Sequence, residues 1–302
     1  MFSNFIFSCY TFYLKAQEDM LLPSYKGSMF RGGFGQVFKS LNCVNRLSKE
    51  CKNCPVAKTC AYKYIFETSD ANDIPRPYVF ETDFADKRNY KKDEIFNFTL
   101  LLFGKAMEFA PHFIFSFIEL GKIGFASRKY KFALEKVTDN SGNVLFDGKE
   151  ICKKADIICA KDLIDNAKIR KNINKIELEF ITLFRLEIGG KLIKSPNFID
   201  IVKVLTRRIN TIGKYHCESK EQINHLELIN KANDIAMESH LGWFDWTRYS
   251  ARQKRTMEFG GVLGNIVLSG DLEIFIPYLI IGSFIHIGKN CTFGLGKYNM
   301  LS

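Results

Sequence analysis

The period of the apolar pattern changes along the first half of the chain in a definite order, and that order restricts the fold more than any single motif. Residues 5–14 form an apolar and aromatic run that reads as a strand. After Pro23-Ser24, Phe30, Phe34, Val37, Phe38 and Leu41 recur at helical spacing and lay down one apolar stripe. Residues 78–82 and 94–103 read as strands, 105–120 as a helix despite Pro111, and 130–137 as a strand. The Asn140-Ser141-Gly142-Asn143 turn then starts a hairpin into Val144-Leu145-Phe146. Strand, helix, strand, strand, helix, strand is the split β-α-β unit of a ferredoxin-like fold.

The same order returns in the second half. Residues 150–174 are polar and lysine-rich, and mark a boundary between an N-terminal domain, 1–149, and a C-terminal domain, 150–302. Residues 176–187 read as a strand ended by Gly189-Gly190. Ser195-Pro196 offers an N-cap followed by proline at the first helical position. Phe198, Ile201, Val202, Leu205, Ile209 and Ile212 line one face of that helix, with Lys203, Arg207 and Arg208 on the other. Residues 241–250 and 256–268 read as a hairpin, 275–287 as a last apolar helix, and the chain closes on a short strand. The duplication is of element order only. The expected fold class is α+β, with two tandem ferredoxin-like (RRM-like) domains and a cysteine-rich insertion, 43–62, in the first.

Charge narrows the partners. The net charge is +10, which favours a polyanion and says nothing about fold. Residues 26–63 hold eight basic residues against one acidic residue, Glu50, either as an anion-binding face or as a solvated basic loop. Within this stretch, Gly32, Gly33 and Gly35 each weaken a helix by about 1 kcal/mol relative to alanine. Either the helix starts late or something approaches closely there. The glycines lack the Gly-Lys-Ser/Thr ending of a nucleotide-binding loop. No His-Glu-x-x-His pair and no Gly-x-Ser-x-Gly elbow is present.

Lys105 and Glu108 interrupt the apolar stretch 95–120, so no membrane span or membrane partner is expected. The start, Met1-Phe2-Ser3-Asn4, has no basic region of an export signal. With nine cysteines, an odd count, the expectation is reduced thiols in a prokaryotic cytoplasm.

Three constellations carry chemistry. Cys43, Cys51, Cys54 and Cys60 include one pair spaced by two residues, the spacing that lets two thiolates grip one tetrahedral ion. Four such ligands form a structural zinc site or hold an iron–sulfur cluster, or they are simply four reduced thiols. Trp243, Trp246 and Tyr249 interleave with Arg248, Arg252, Gln253, Lys254 and Arg255, a mixture suited to stacked bases and phosphates or to a solvated hairpin tip. Finally, Gly288, Gly294 and Gly296 lie among Lys289, Lys297 and Tyr298, just after His286. Such a loop reads either as a phosphate-facing turn with free N–H groups or as a helix-ending glycine and a turn.

Gly288-Lys289 with Phe293-Gly294-Leu295-Gly296-Lys297-Tyr298, Arg248 to Gln253 with Gly260-Gly261, and Phe30 to Gly35 followed by the cysteines resemble the CRISPR-associated RAMP-superfamily endoribonucleases that trim precursor CRISPR RNA. That resemblance implies binding of single-stranded or hairpin repeat RNA, association with other CRISPR effector subunits, and cleavage with no catalytic cofactor. In such cleavage a ribose 2′-hydroxyl attacks the adjacent phosphate and leaves a 2′,3′-cyclic phosphate. Many members carry a histidine on the first helix, where this chain has none. Tyr25, Lys26 and Arg31 are the substitutes, with His286 or His240 for proton transfer. The implied RNA contacts are Lys39, Arg248, Tyr249, Arg252, Gln253, Gly288, Lys289, Gly294, Gly296 and Lys297. A non-catalytic RAMP subunit that holds guide RNA and scaffolds an interference complex, and a zinc-stabilised DNA-binding protein, are the competing readings.

Overall fold

The computed structural model describes residues 2–45, 51–68, 74–82, 87–126, 128–167, 173–250 and 255–301. The chain divides into two compact units. One comprises Ser3–Cys159 with Thr211–Ser219, and the other Ala160–Asn210 with Lys220–Ser302 and Phe2.

In the N-terminal unit, β1 (Ile6–Ala16) alternates buried and half-buried residues, as a strand covered on one face should. It is followed by α1 (Gly27–Asn42), β2 (Tyr78–Glu81), β3 (Ile95–Phe103), α2 (Ala110–Ile123), β4 (Phe132–Thr138) and β5 (Val144–Phe146). The sheet runs β2-β3-β1-β4-β5, antiparallel throughout. The first strand therefore sits between the third and fourth, as the split β-α-β order requires. Pro111 falls in the first turn of α2, where its missing N–H is not needed.

Phenylalanine fills this core. Phe12 stacks on Phe98 at 4.9 Å, Phe30 on Phe98 at 4.5 Å, and Phe34 on Phe113 at 4.5 Å. The helix glycines are explained by this crowding. A Cβ at Gly33 would lie 3.0 Å from the Leu120 methyls, and one at Gly35 would run into the Phe66 ring. A Cβ at Gly32 would meet nothing within 4 Å. Helix α1 starts at Gly27, so close approach, not a late start, accounts for two of the three glycines.

The C-terminal unit repeats the order with β6 (Lys175–Phe184), α3 (Phe198–His216), β7 (Ala236–Phe244), β8 (Thr247–Ser250), β9 (Arg255–Glu258), β10 (Gly261–Ser269), α4 (Ile276–Ile285) and β11 (Tyr298–Leu301). Its main sheet runs β7-β10-β6-β11, again antiparallel. Strands β7 and β10 form one long hairpin from Ala236↔Ser269 to Phe244↔Gly261, with β8 and β9 paired at its tip.

Two details depart from the sequence expectations. The cap of α3 is Asn197, not Ser195: the Asn197 Oδ1 accepts the Asp200 N–H at 2.9 Å, and the Asp200 carboxylate accepts the Asn197 N–H at 3.3 Å. This reciprocal pair satisfies two helix-end donors at once. Arg208 does not stand on the outer face with Lys203 and Arg207. Its guanidinium donates to the Ile285 carbonyl at 3.0 and 2.8 Å and caps the C-terminus of α4. Among the described residues no helix is long and apolar enough to cross a membrane.

Candidate nucleic-acid interface

The glycine-rich loop begins where α4 ends. Its side chains are apolar on all sides, and the helix stops at His286, which takes φ 61°. His286 is fully buried, and its Nδ1 sits 3.1 Å from the Leu295 carbonyl, so it ties the loop's start to its end. Ile287 N–H donates to the Gly296 carbonyl at 2.9 Å and closes the same ring of contacts.

Each loop glycine has a positive φ: 91° at Gly288, 88° at Gly294 and 78° at Gly296. A Cβ at Gly296 would overlap the Ile287 carbonyl, and one at Gly288 would approach the Arg185 carbonyl. The backbone donors are used internally. Lys289 N–H bonds the Arg185 carbonyl at 2.7 Å, Gly294 N–H bonds Cys291 at 2.7 Å, and Gly296 N–H bonds Leu183 at 3.0 Å. Thr182 Oγ1 accepts the Lys297 N–H at 2.8 Å and donates to the Gly294 carbonyl at 2.9 Å. The expectation of free loop amides facing phosphate is therefore corrected at these four positions; the glycines serve tight turns and close packing.

Side chains carry what the amides do not. Lys289 is half exposed, with its Nζ 2.9 Å from Glu187. An ion pair this open to water contributes about 0–1 kcal/mol, so a phosphate can displace the carboxylate at little loss. Lys297 is partly buried.

The hairpin base joins this loop. Trp246 meets Phe259 edge-on at 5.3 Å, and Phe259 meets Phe293 of the loop at 5.4 Å. Arg185 links the same two parts: it donates to the Gly260 carbonyl at 2.7 Å while its own carbonyl holds Lys289. Burial pulls the Arg185 pKa down, and Glu187 and Glu258 oppose that shift. Lys194 lies over the Trp243 ring at 5.0 Å, and Phe244 is exposed. Arg248 and Tyr249 belong to β8, whereas Arg252 and Gln253 lie outside the described residues. Sequence reasoning quoted Phe293 within the loop but missed Arg185 and Thr182. The one local signal was a lone arginine ending an apolar strand just ahead of Gly189-Gly190.

The N-terminal candidates sit in the other unit. Tyr25 and Lys26 are buried, at 3% and 5% exposure, just ahead of α1. Lys26 Nζ donates to the Lys87 carbonyl at 2.9 Å and lies over the Tyr90 ring at 5.6 Å. The Arg31 guanidinium lies over Phe66 at 4.7 Å, and Lys39 Nζ over Tyr62 at 5.5 Å. His240 is exposed beside Glu238 at 3.0 Å.

The four cysteines are not preformed as a metal centre: among the described residues, no three His, Cys, Asp or Glu side chains make a group that could hold an ion. Cys43, Cys51, Cys54 and Cys60 are free and half-buried. All four nevertheless line one small cavity of about 10 Å³, together with Lys39 and Lys63. Burial pushes the Cys51 thiol up, and charge on Glu67, Cys60 and Cys43 adds to it.

Comparison with known proteins bears on both units. The family model described as CRISPR-associated endoribonuclease Cas6 matches residues 178–298, and one described as an N-terminal domain matches residues 5–162. An uncharacterised protein of Archaeoglobus fulgidus is 24% identical over 296 residues, covering 93% of each chain. Among solved structures, a partial Cas6-RT-Cas1–Cas2 complex matches with TM-score 0.60 at 12% identity, covering 98% of this chain and 46% of that one. The chain thus spans less than half the length of that relative. Thermus thermophilus Cas6 matches with TM-score 0.58 at 14% identity, covering 98% and 99% of the two chains, and a Cas6 product complex with 0.59 at 15%, also covering 98% and 99%. At such identities these likenesses establish the fold.

Proposed function

We propose that this chain, whose residues 178–298 match the CRISPR-associated endoribonuclease Cas6 family model, acts with the RAMP-superfamily endoribonucleases: it binds CRISPR repeat RNA and cleaves it without a catalytic metal. The observation that carries this reading is the joined surface of glycine loop and hairpin base, which falls within the residues matched to the family. The exposed Phe244 ring and the half-buried Trp243 and Trp246 stack splayed bases, and Lys289 and the hairpin arginines take phosphates.

In the proposed reaction the ribose 2′-oxygen forms a bond to phosphorus as its proton leaves. The bond to the 5′-oxygen breaks, and that oxygen takes up a proton. The products are a 2′,3′-cyclic phosphate and a free 5′-hydroxyl. Cations around the developing dianion lower the barrier. Lys26 and Arg31 are assigned that task and Tyr25 the proton transfer, which requires the first two to exchange their Lys87 carbonyl and Phe66 ring for phosphate. His286, buried on the Leu295 carbonyl, is assigned to holding the loop.

The burial of Tyr25, Lys26 and His286 favours a second reading, in which a non-catalytic subunit holds guide RNA. Incubating the purified chain with repeat RNA in EDTA separates the two. One cut bearing a cyclic phosphate supports cleavage, and tight binding of intact RNA supports the holder. Arg248→Ala with Arg252→Ala should weaken binding and lower its salt dependence in either case; an unchanged affinity and slope removes the hairpin from the interface.

A further inference from the structure

We propose that Cys43, Cys51, Cys54 and Cys60 close on a single zinc ion, with Lys39 and Lys63 as its counter-charges. The four thiols come from three separate places. Cys43 is the C-cap residue of α1, Cys51 and Cys54 lie on one turn with Cys54 N–H on the Cys51 carbonyl, and Cys60 is the N-cap residue of the short helix Ala61–Ile65. Sequence spacing required only the inner pair to be neighbours; the fold brings all four to the wall of one cavity. Four thiolates at the wall of one small cavity are the donor set of a closed tetrahedral zinc site.

Because no three of the side chains are yet in ligating array, binding draws the thiols inward by rotation about their Cα–Cβ bonds. Four S–H bonds break, four zinc–sulfur bonds form, and four protons pass to solvent. The centre then carries two negative charges. Two lysines in the same wall, Lys39 and Lys63, match that charge. Four protein ligands leave no open position for chemistry, so the site serves folding and holds whether or not the chain cleaves RNA. It staples the end of α1 to the helix that carries Tyr62 and leads into Phe66, the ring that fills the notch at Gly35.

The test is elemental analysis of the full chain purified from zinc-supplemented culture without a metal-affinity step. About one zinc per chain is expected, falling to near none in Cys51→Ser with Cys54→Ser and unchanged in Cys152→Ser with Cys159→Ser. Since the first variant can fail to fold, the wild-type chain is also stripped with chelator and titrated with cobalt. Thiolate-to-cobalt charge transfer and tetrahedral visible bands should saturate near one equivalent and vanish on adding zinc. Lys39→Gln with Lys63→Gln should lower cobalt affinity roughly tenfold. Iron with labile sulfide, disulfides among these cysteines, or four freely reacting thiols in a native chain without metal would each overturn the proposal.

Discussion

Two glycine-rich stretches, one in each unit, look alike as letters and differ in what they make room for. Gly33 and Gly35 lie in regular helix and admit side chains, the Leu120 methyls and the Phe66 ring. Gly288 and Gly296 lie at positive φ and admit backbone carbonyls, those of Arg185 and Ile287. A side chain can move aside by rotation. A carbonyl held in a strand or turn cannot, and positive φ adds strain for any L-residue. The loop near the C-terminus should therefore tolerate far less change than the helix near the N-terminus.

The sharpest test is Gly296→Ala. Left-handed strain of about 1–2 kcal/mol joins overpacking of about 1–3 kcal/mol, so denaturation should show a loss of about 3–4 kcal/mol. A loss under about 1 kcal/mol would break the contrast. Next is Thr182→Val, which removes the hydroxyl holding Gly294 and Lys297 and should cost about 2 kcal/mol.

The N-terminal unit holds a turn of its own by charge instead. Burial alone would raise the Asp139 carboxyl, but hydrogen bonds from Asn143, Asp156 and Ser141 outweigh it and hold the pKa below its usual value. A depressed native pKa supplies stability that is complete above the unfolded value, about 3.9, and lost as pH falls through the native one. Melting temperatures followed from pH 6 to 3 should drop in the wild type and drop less in Asp139→Asn; equal slopes would refute the role of this carboxylate.

Smaller effects separate the helix glycines from one another. Gly32→Ala, with open space, should stabilise by about 0.5–1 kcal/mol. Gly35→Ala should destabilise by about 1 kcal/mol, the crowding of Phe66 exceeding the helical gain. Smallest is the exposed pair at the loop: Lys289→Ala should weaken RNA binding severalfold and lower the salt slope by about 1, while Glu187→Gln should tighten binding. Equal effects of the same sign would remove this pair from the interface.

Element order, the apolar stripe of α1 and the buried face of α3 were legible because helix and strand periods are local. Phe30, Phe34, Val37 and Phe38 fall at the expected spacing and are buried, and Leu41 at the end of the stripe is not. The candidate site was half legible. Glycine positions and the aromatic–basic hairpin could be read from the letters. That loop N–H groups were already taken by Thr182, Leu183 and Arg185 could not, because those acceptors lie in or just after a strand more than a hundred residues away.

The letters alone set the doubled order of strands and helices and the faces that must be buried. Those follow from backbone sterics and from hydrophobic periods of a few residues. Tertiary structure decided where each cation went. Lys26 reached a carbonyl 61 residues away, Arg185 one 75 away, and Arg208 one 77 away. A guanidinium or ammonium leaving water must find an acceptor wherever the packed chain presents one, and no local pattern says where that is.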